Sequence, residues 1–268
     1  MLASSRIVFN AARLLPVVVV AYACLSAAAG GAFQPATRTE AFLVLRGFGY
    51  SGAGERALKT LEPTINAQGM DLYVPDYISR SGLEESRKKL QRFIQERLAR
   101  YERVHVFAFI AGGWTLNPLV TSGGLPKLAT VIYDRSPLQE RAPRIADDKL
   151  HFLTRVRFGS TVFDLARTPY PPLTANVKVG LLVETMPTSF IRDHEQTARS
   201  YGPFRFECDA FGQRHDDCMY VDLNHDELYV RFAEVWPDVL TFIRTGKFSS
   251  AASRVPPTGD PFVRKTRE

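Results

Sequence analysis

The chain has 268 residues, with 34 Lys plus Arg against 28 Asp plus Glu, 45% apolar residues and only 23% charged. That balance excludes a disordered or collagen-like chain, and the length suits one α/β domain that can bury roughly 70–75% of its unfolded surface without a metal or disulfide staple. Three cysteines cannot build a disulfide scaffold or a Cys₄ zinc site, and the net charge of +6 is spread without a Lys/Arg block or RNA-binding aromatic signature, which argues against nucleic acid as a partner.

Residues 1–32 read as an address. Arg6 and Arg13 precede an uncharged run through Val17–Val20 and Cys24 to small residues at Ala27 and Ala29. This is the pattern of a secretory signal peptide cut near Gly30 or after Ala32. The alternative is an uncleaved anchor, because Leu14 to Thr37 is long enough to span a bilayer, and membrane contact is then expected only there. Cleavage removes two arginines and no acid, leaving a mature chain of +4. It also leaves Cys208 and Cys218 alone in an oxidising compartment, as a disulfide worth roughly 2–3 kcal/mol or as two buried thiols.

The mature chain alternates strands with helices. Ala41–Arg46 is a buried-strand run ending at Gly47-Phe48-Gly49, followed by about twenty residues of helical pattern and a second strand, Met70–Pro75. Ser81 and Glu84 predict a capping box before a helix from Leu83 to about Tyr101, whose apolar stripe includes Leu90, Ile94 and Leu98. Strand Arg103–Phe109 leads into Ile110-Ala111-Gly112-Gly113, which opens another helix. Further strands are predicted at Leu128–Asp134, Val177–Val183 and Cys218–Leu223, and a last helix from Asp226 to Thr245 with a kink at Trp236-Pro237. This is an α/β fold, a mainly parallel sheet with helices on both faces. Residues 135–176 read as an insertion over the sheet, completing a domain over 33–248, and residues 249–268 as a disordered tail.

This order of motifs resembles the α/β-hydrolase fold, in its lipase and esterase branch, over residues 40–248. In that family the first of these strands ends in His-Gly beside the oxyanion hole, where this chain has Arg46-Gly47. The family's Gly-x-Ser-x-Gly elbow aligns with Ala108-Phe109-Ile110-Ala111-Gly112-Gly113, and its catalytic histidine with His225, just before the last helix. The resemblance implies a carboxylic-ester hydrolase. The residues depart from it: Ile110 has no lone pair or acidic proton and cannot form an acyl-enzyme. A β-branched residue also tolerates badly the positive φ of a strained elbow, so the turn should be relaxed. Gly112 and Gly113 would then serve close helix–strand packing.

Ser136, at the exit of the fourth strand, is the best-placed alternative nucleophile, although before Pro137 it also reads as a turn residue; Ser51 and Ser122 lie near the same edge. His225 is either a general base or a local backbone partner, and Glu184 either its acid or a strand-end charge. Asp134 reads as a strand-end ion pair or a carboxylate nucleophile. The run His215-Asp216-Asp217 is too contiguous to converge on one ion, so no metal or cofactor is expected. Arg46 and Arg135 would meet at the sheet edge with the backbone N–H groups of Gly47–Gly49 and of the helix N-terminus after Ile110, a set that favours an anion unless Asp76, Asp134 or Glu140 neutralises it. Two functions follow from these residues. One is an exported, catalytically degenerate binding protein for a small anionic or lipid-like ligand. The other is an esterase using Ser136 with His225 and Glu184.

Overall fold

The computed structural model describes residues 38–48 and 52–263. The proposed signal or anchor, Cys24 and Ser51 lie outside the described residues. Six strands, β1 (Glu40–Leu45), β2 (Met70–Tyr73), β3 (Arg103–Ala108), β4 (Leu128–Arg135), β5 (Lys178–Glu184) and β6 (Asp217–Val221), form one all-parallel sheet in the order β2-β1-β3-β4-β5-β6. The apolar runs are nearly continuous because each strand is covered twice. Ala41, Leu43 and Leu45 of β1 face one core with Val106, Val131 and Leu181, while Phe42 and Val44 face the other with Phe107, Ile132 and Leu182.

Helices α2 (Leu83–Phe93) and α3 (Ile110–Thr121) cover the first face, and α1 (Gly52–Ala67), α8 (His225–Val230) and α9 (Phe232–Thr245) the second. The insertion carries a 3₁₀ turn (Gln139–Arg141) and helices α4 (Ala142–Phe158) and α5 (Thr161–Arg167). Short helices α6 (Ser189–Asp193) and α7 (Glu195–Ser200) follow β5. Cys208 and Cys218 are joined as a disulfide, Cα to Cα 6.4 Å.

Three local expectations change. The N-terminus of α2 is not closed by Ser81. Asp164 of α5 accepts from the Leu83 N–H at 2.9 Å, and Thr161 Oγ1 from the Gly82 N–H at 3.0 Å, so the cap comes from the insertion. Gly82 is required there, with φ 117° and a Cβ position only 2.7 Å from Asp164. The last helix breaks at Arg231, which ends α8 and precedes α9, whereas Pro237 sits inside α9. The stripe of α2 does continue as predicted, through a five-residue π-helical segment, Ile94–Leu98.

The expected disordered tail is ordered as far as residue 263. Tyr220 N–H donates to Ser253 O at 3.0 Å, Arg254 pairs with Asp217 at 3.0 Å, Arg199 pairs with Asp260 at 2.7 Å, and Phe262 packs on Phe204. The segment covers the open side of β6, where an unpaired strand edge would otherwise meet solvent. Its polar composition reflects ion pairs, not disorder.

Candidate functional site

β1, β3, β4 and β5 all deliver their C-terminal ends to one edge of the sheet, the edge where open α/β sheets place ligands. β3 turns into α3 through Phe109, which is extended at φ −61° and ψ 156°, and Ile110 is the first helical residue. No non-glycine residue among those described has positive φ, so this turn carries no elbow strain. Gly112 lets the helix settle on the sheet, because a Cβ there would lie 3.0 Å from Leu45 Cβ and 3.2 Å from Leu45 O. A Cβ at Gly113 would strike the Tyr170 ring at 2.7 Å.

His225 opens α8, held by Asn224, whose side chain caps the Asp226 and Glu227 N–H groups while Glu227 returns a bond to Asn224 N–H. Its imidazole is buried. Nδ1–H donates to Glu184 Oε1 at 3.0 Å, with Asp134 Oδ2 at 3.1 Å but off the N–H line. Nε2 lies 3.2 Å from the Tyr229 hydroxyl, one helical turn on. That hydroxyl accepts from Gly47 N–H at 2.9 Å and faces Phe48 O at 3.4 Å. Gly47 is a close-approach residue, since a Cβ would sit 2.8 Å from Tyr229 OH.

Burial opposes a charge on His225, but the Glu184 and Asp134 carboxylates outweigh it and raise the imidazole pKa to about 10. Burial also raises Asp134, and it raises Glu184 well above the usual carboxylate range with the Asp134 charge adding to the effect. The raised imidazole and the two raised carboxyl groups all point to extra proton binding in this buried set, in which both Asp134 oxygens and Glu184 Oε2 have no hydrogen-bond partner among the described residues. An imidazolium also suits Tyr229. Its oxygen then accepts from Gly47 and from Nε2–H and gives its own proton to Phe48 O. Asp134, Glu184 and His225 offer donors within 4.8 Å of one another, the one such convergence of metal-capable groups among the described residues.

Of the residues singled out in the sequence, His225, Glu184, Gly47 and Ile110 gather here, joined by Asp134, whose partner is the histidine and not an arginine. Tyr229 escaped notice. Its only signal was the i, i+4 spacing from His225 on a helix. Ser136 is not among the hydrogen-bond partners of His225; its hydroxyl accepts from Gln139 N–H at 3.2 Å, as in a turn. Ser122 likewise bonds Leu119 O at the end of α3. Asp216 and Asp217 accept from the Val179, Cys218 and Phe248 N–H groups, so that run is structural.

The anion site does not form. Arg46 pairs with Asp76. Arg135 is buried, held through Nε and Nη2 by Glu140 at 2.6 and 3.1 Å and stacked between Tyr170 and Phe211 at 4.0 and 4.8 Å, with Nη1 left without a hydrogen-bond partner among the described residues. The two guanidiniums are spent in separate carboxylate pairs, and Gly47 N–H is taken by Tyr229. What opens beside His225 is an apolar cavity of about 300 Å³, floored by Ile110 and Ala111 and walled by Phe48, Trp114, Leu165 and the inner face of α4.

No family model matches the chain, and no curated protein matches it. Among solved structures it is similar to a mature lipase of Bacillus licheniformis, at TM-score 0.51 and 14% identity over 76% of this chain and 93% of that one. It is similar also to juvenile hormone epoxide hydrolase of the silkworm Bombyx mori (TM-score 0.48, 13% identity, 78% of this chain, 71% of that one). A bromoperoxidase of Bacillus anthracis gives TM-score 0.45 and 10% identity over 76% of this chain and 91% of that one. The strand order, the histidine after β6 and the likeness to the lipase agree: this chain has the α/β-hydrolase fold.

Proposed function

We propose that the chain is an exported protein of α/β-hydrolase fold that binds a lipid-like small molecule without hydrolysing it. One observation carries the reading. The nitrogen of His225 that would accept a nucleophile's proton is held by Tyr229 OH, and no Ser, Thr or Cys among the described residues hydrogen-bonds it. Tyr229 also occupies Gly47 N–H, the donor nearest the place of an oxyanion hole. A histidine with a pKa near 10 leaves little neutral base at neutral pH. The cavity is of a size for a small ligand, lies at the lower end of the usual range, and is lined mainly by hydrocarbon. The Cys208–Cys218 disulfide and the basic-then-apolar N-terminal sequence support export.

The rival reading, an esterase with a displaced nucleophile, draws on the His225–Glu184 bond; against it, the hydrogen-bond partner of His225 Nε2 is Tyr229 and not Ser136. The purified chain is expected to bind the apolar fluorophore N-phenyl-1-naphthylamine. An Ala146→Trp variant, which fills the cavity, should weaken that binding about tenfold or more. Turnover of p-nitrophenyl acetate or palmitate should equal that of His225→Ala. Turnover that His225→Ala abolishes would overturn the proposal in favour of the esterase.

A further inference from the structure

Helix α4 is apolar on two faces. Ala146, Leu150, Thr154 and Phe158, spaced four apart, line the cavity. On the outer side Phe152, Leu153 and Val156 are 74, 62 and 58% exposed, the one cluster of large exposed apolar side chains among the described residues. A non-helical residue, Leu150 (φ −130°, ψ 26°), divides the helix just before this patch. Residues 149–157 read KLHFLTRVR, with three cations and no acid. Lys149, Arg155 and Arg157 form no ion pair among the described residues. The neighbouring acids are already engaged, Asp147 by Arg167 and His151 and Asp148 by Tyr201.

We propose that this outer face of α4 docks on an anionic membrane surface, with Phe152, Leu153 and Val156 entering the headgroup boundary and Lys149, Arg155 and Arg157 meeting lipid phosphates. Exposed Phe and Leu among unpaired cations are what an interfacial helix presents. Charge complementarity selects the occupant. A second copy of the chain packed on this face about a two-fold axis would bring its three cations against these three, and the N-terminal segment is itself basic. No helix among the described residues is long and apolar enough to cross a membrane, so the contact is peripheral. Docking would set the cavity wall against the bilayer, and it stands whether the cavity binds or hydrolyses what enters.

The test uses the full chain with a local reporter, so that membrane binding by the N-terminal segment cannot imitate the result. Leu153→Trp adds an indole at an exposed position, against a background of two buried tryptophans, Trp114 and Trp236. Its emission should shift to the blue, and brominated lipid should quench it, with equimolar phosphatidylcholine/phosphatidylglycerol vesicles. Half-saturation with phosphatidylcholine alone should need about 100-fold more lipid, the expected contribution of three basic residues at the headgroups. Replacing Lys149, Arg155 and Arg157 by Gln should erase the difference, and Phe152→Ser with Val156→Ser should remove the shift. An indole that stays unshifted while the chain sediments with vesicles would overturn the proposal. So would a blue shift that appears without lipid at high protein concentration and reverses on dilution, which would assign the face to self-association.

Discussion

The sheet buries one histidine near each of its edges, each beside a carboxylate, and the two end in opposite charge states. His105 of β3 lies near the N-terminal edge, its Nδ1 2.9 Å from Thr130 Oγ1 and its Nε2 3.4 Å from Glu40. Burial lowers its pKa to about 4. Arg103 and Arg244 act in the same direction, and Glu40 alone opposes them. Glu40 is already engaged by those two arginines. At the other edge no guanidinium among the described residues pairs with the carboxylates of Asp134 and Glu184, and His225 takes the charge. A carboxylate beside a buried histidine therefore says little until its other partners are counted. The same count separates a proton-accepting base from a structural cation at the place where a hydrolase would keep its base.

The comparison can be broken by substitution. His225→Ala strands two buried carboxyl groups and should cost about 3–5 kcal/mol in urea unfolding. His105→Ala, which leaves Glu40 still held by two arginines, should cost about 1–3 kcal/mol. Equal losses would remove the distinction between the two ends. Glu184→Gln should lower the His225 pKa, read by NMR titration of the ring, because it deletes the largest opposing influence on burial.

Stability should also vary with pH in opposite ways at the two ends. His225 binds its proton more tightly folded than unfolded. Its contribution is complete below the unfolded value of about 6.5 and is lost as pH rises through about 10, with the raised Asp134 and Glu184 adding in the same direction. His105 binds its proton less tightly folded, so stability is lost as pH falls from about 6.5 towards 4. Unfolding midpoints of His105→Gln should flatten the acid limb only. The smallest effect should come from Tyr229→Phe, about 1–2 kcal/mol, for the bonds it withdraws from Gly47 N–H and His225.

The six strands were legible because a parallel sheet covered on both faces writes long apolar runs, and the histidine was legible because it stands at a fixed place after the last strand. The pairings around it were not. Asp134 and Arg135 are adjacent in sequence but point to opposite sides of β4, one to His225 and the other to Glu140, and an ion pair between them was the natural reading of the string. Arg46 and Arg135 do lie near one edge, yet Asp76 and Glu140 reach them through loops whose course no periodicity reports. The ordered segment after Phe248 was missed for a related reason, since ion pairs and one backbone bridge hold it where apolar periodicity is silent.

The most direct test of a structural rather than catalytic histidine is a ¹⁵N NMR titration of the His225 ring in the purified chain. Both ring nitrogens should be protonated at pH 7 and 8, with a midpoint near 10. A midpoint at or below about 7, with Nε2 unprotonated at neutral pH, would return His225 to the role of general base and contradict the structural one.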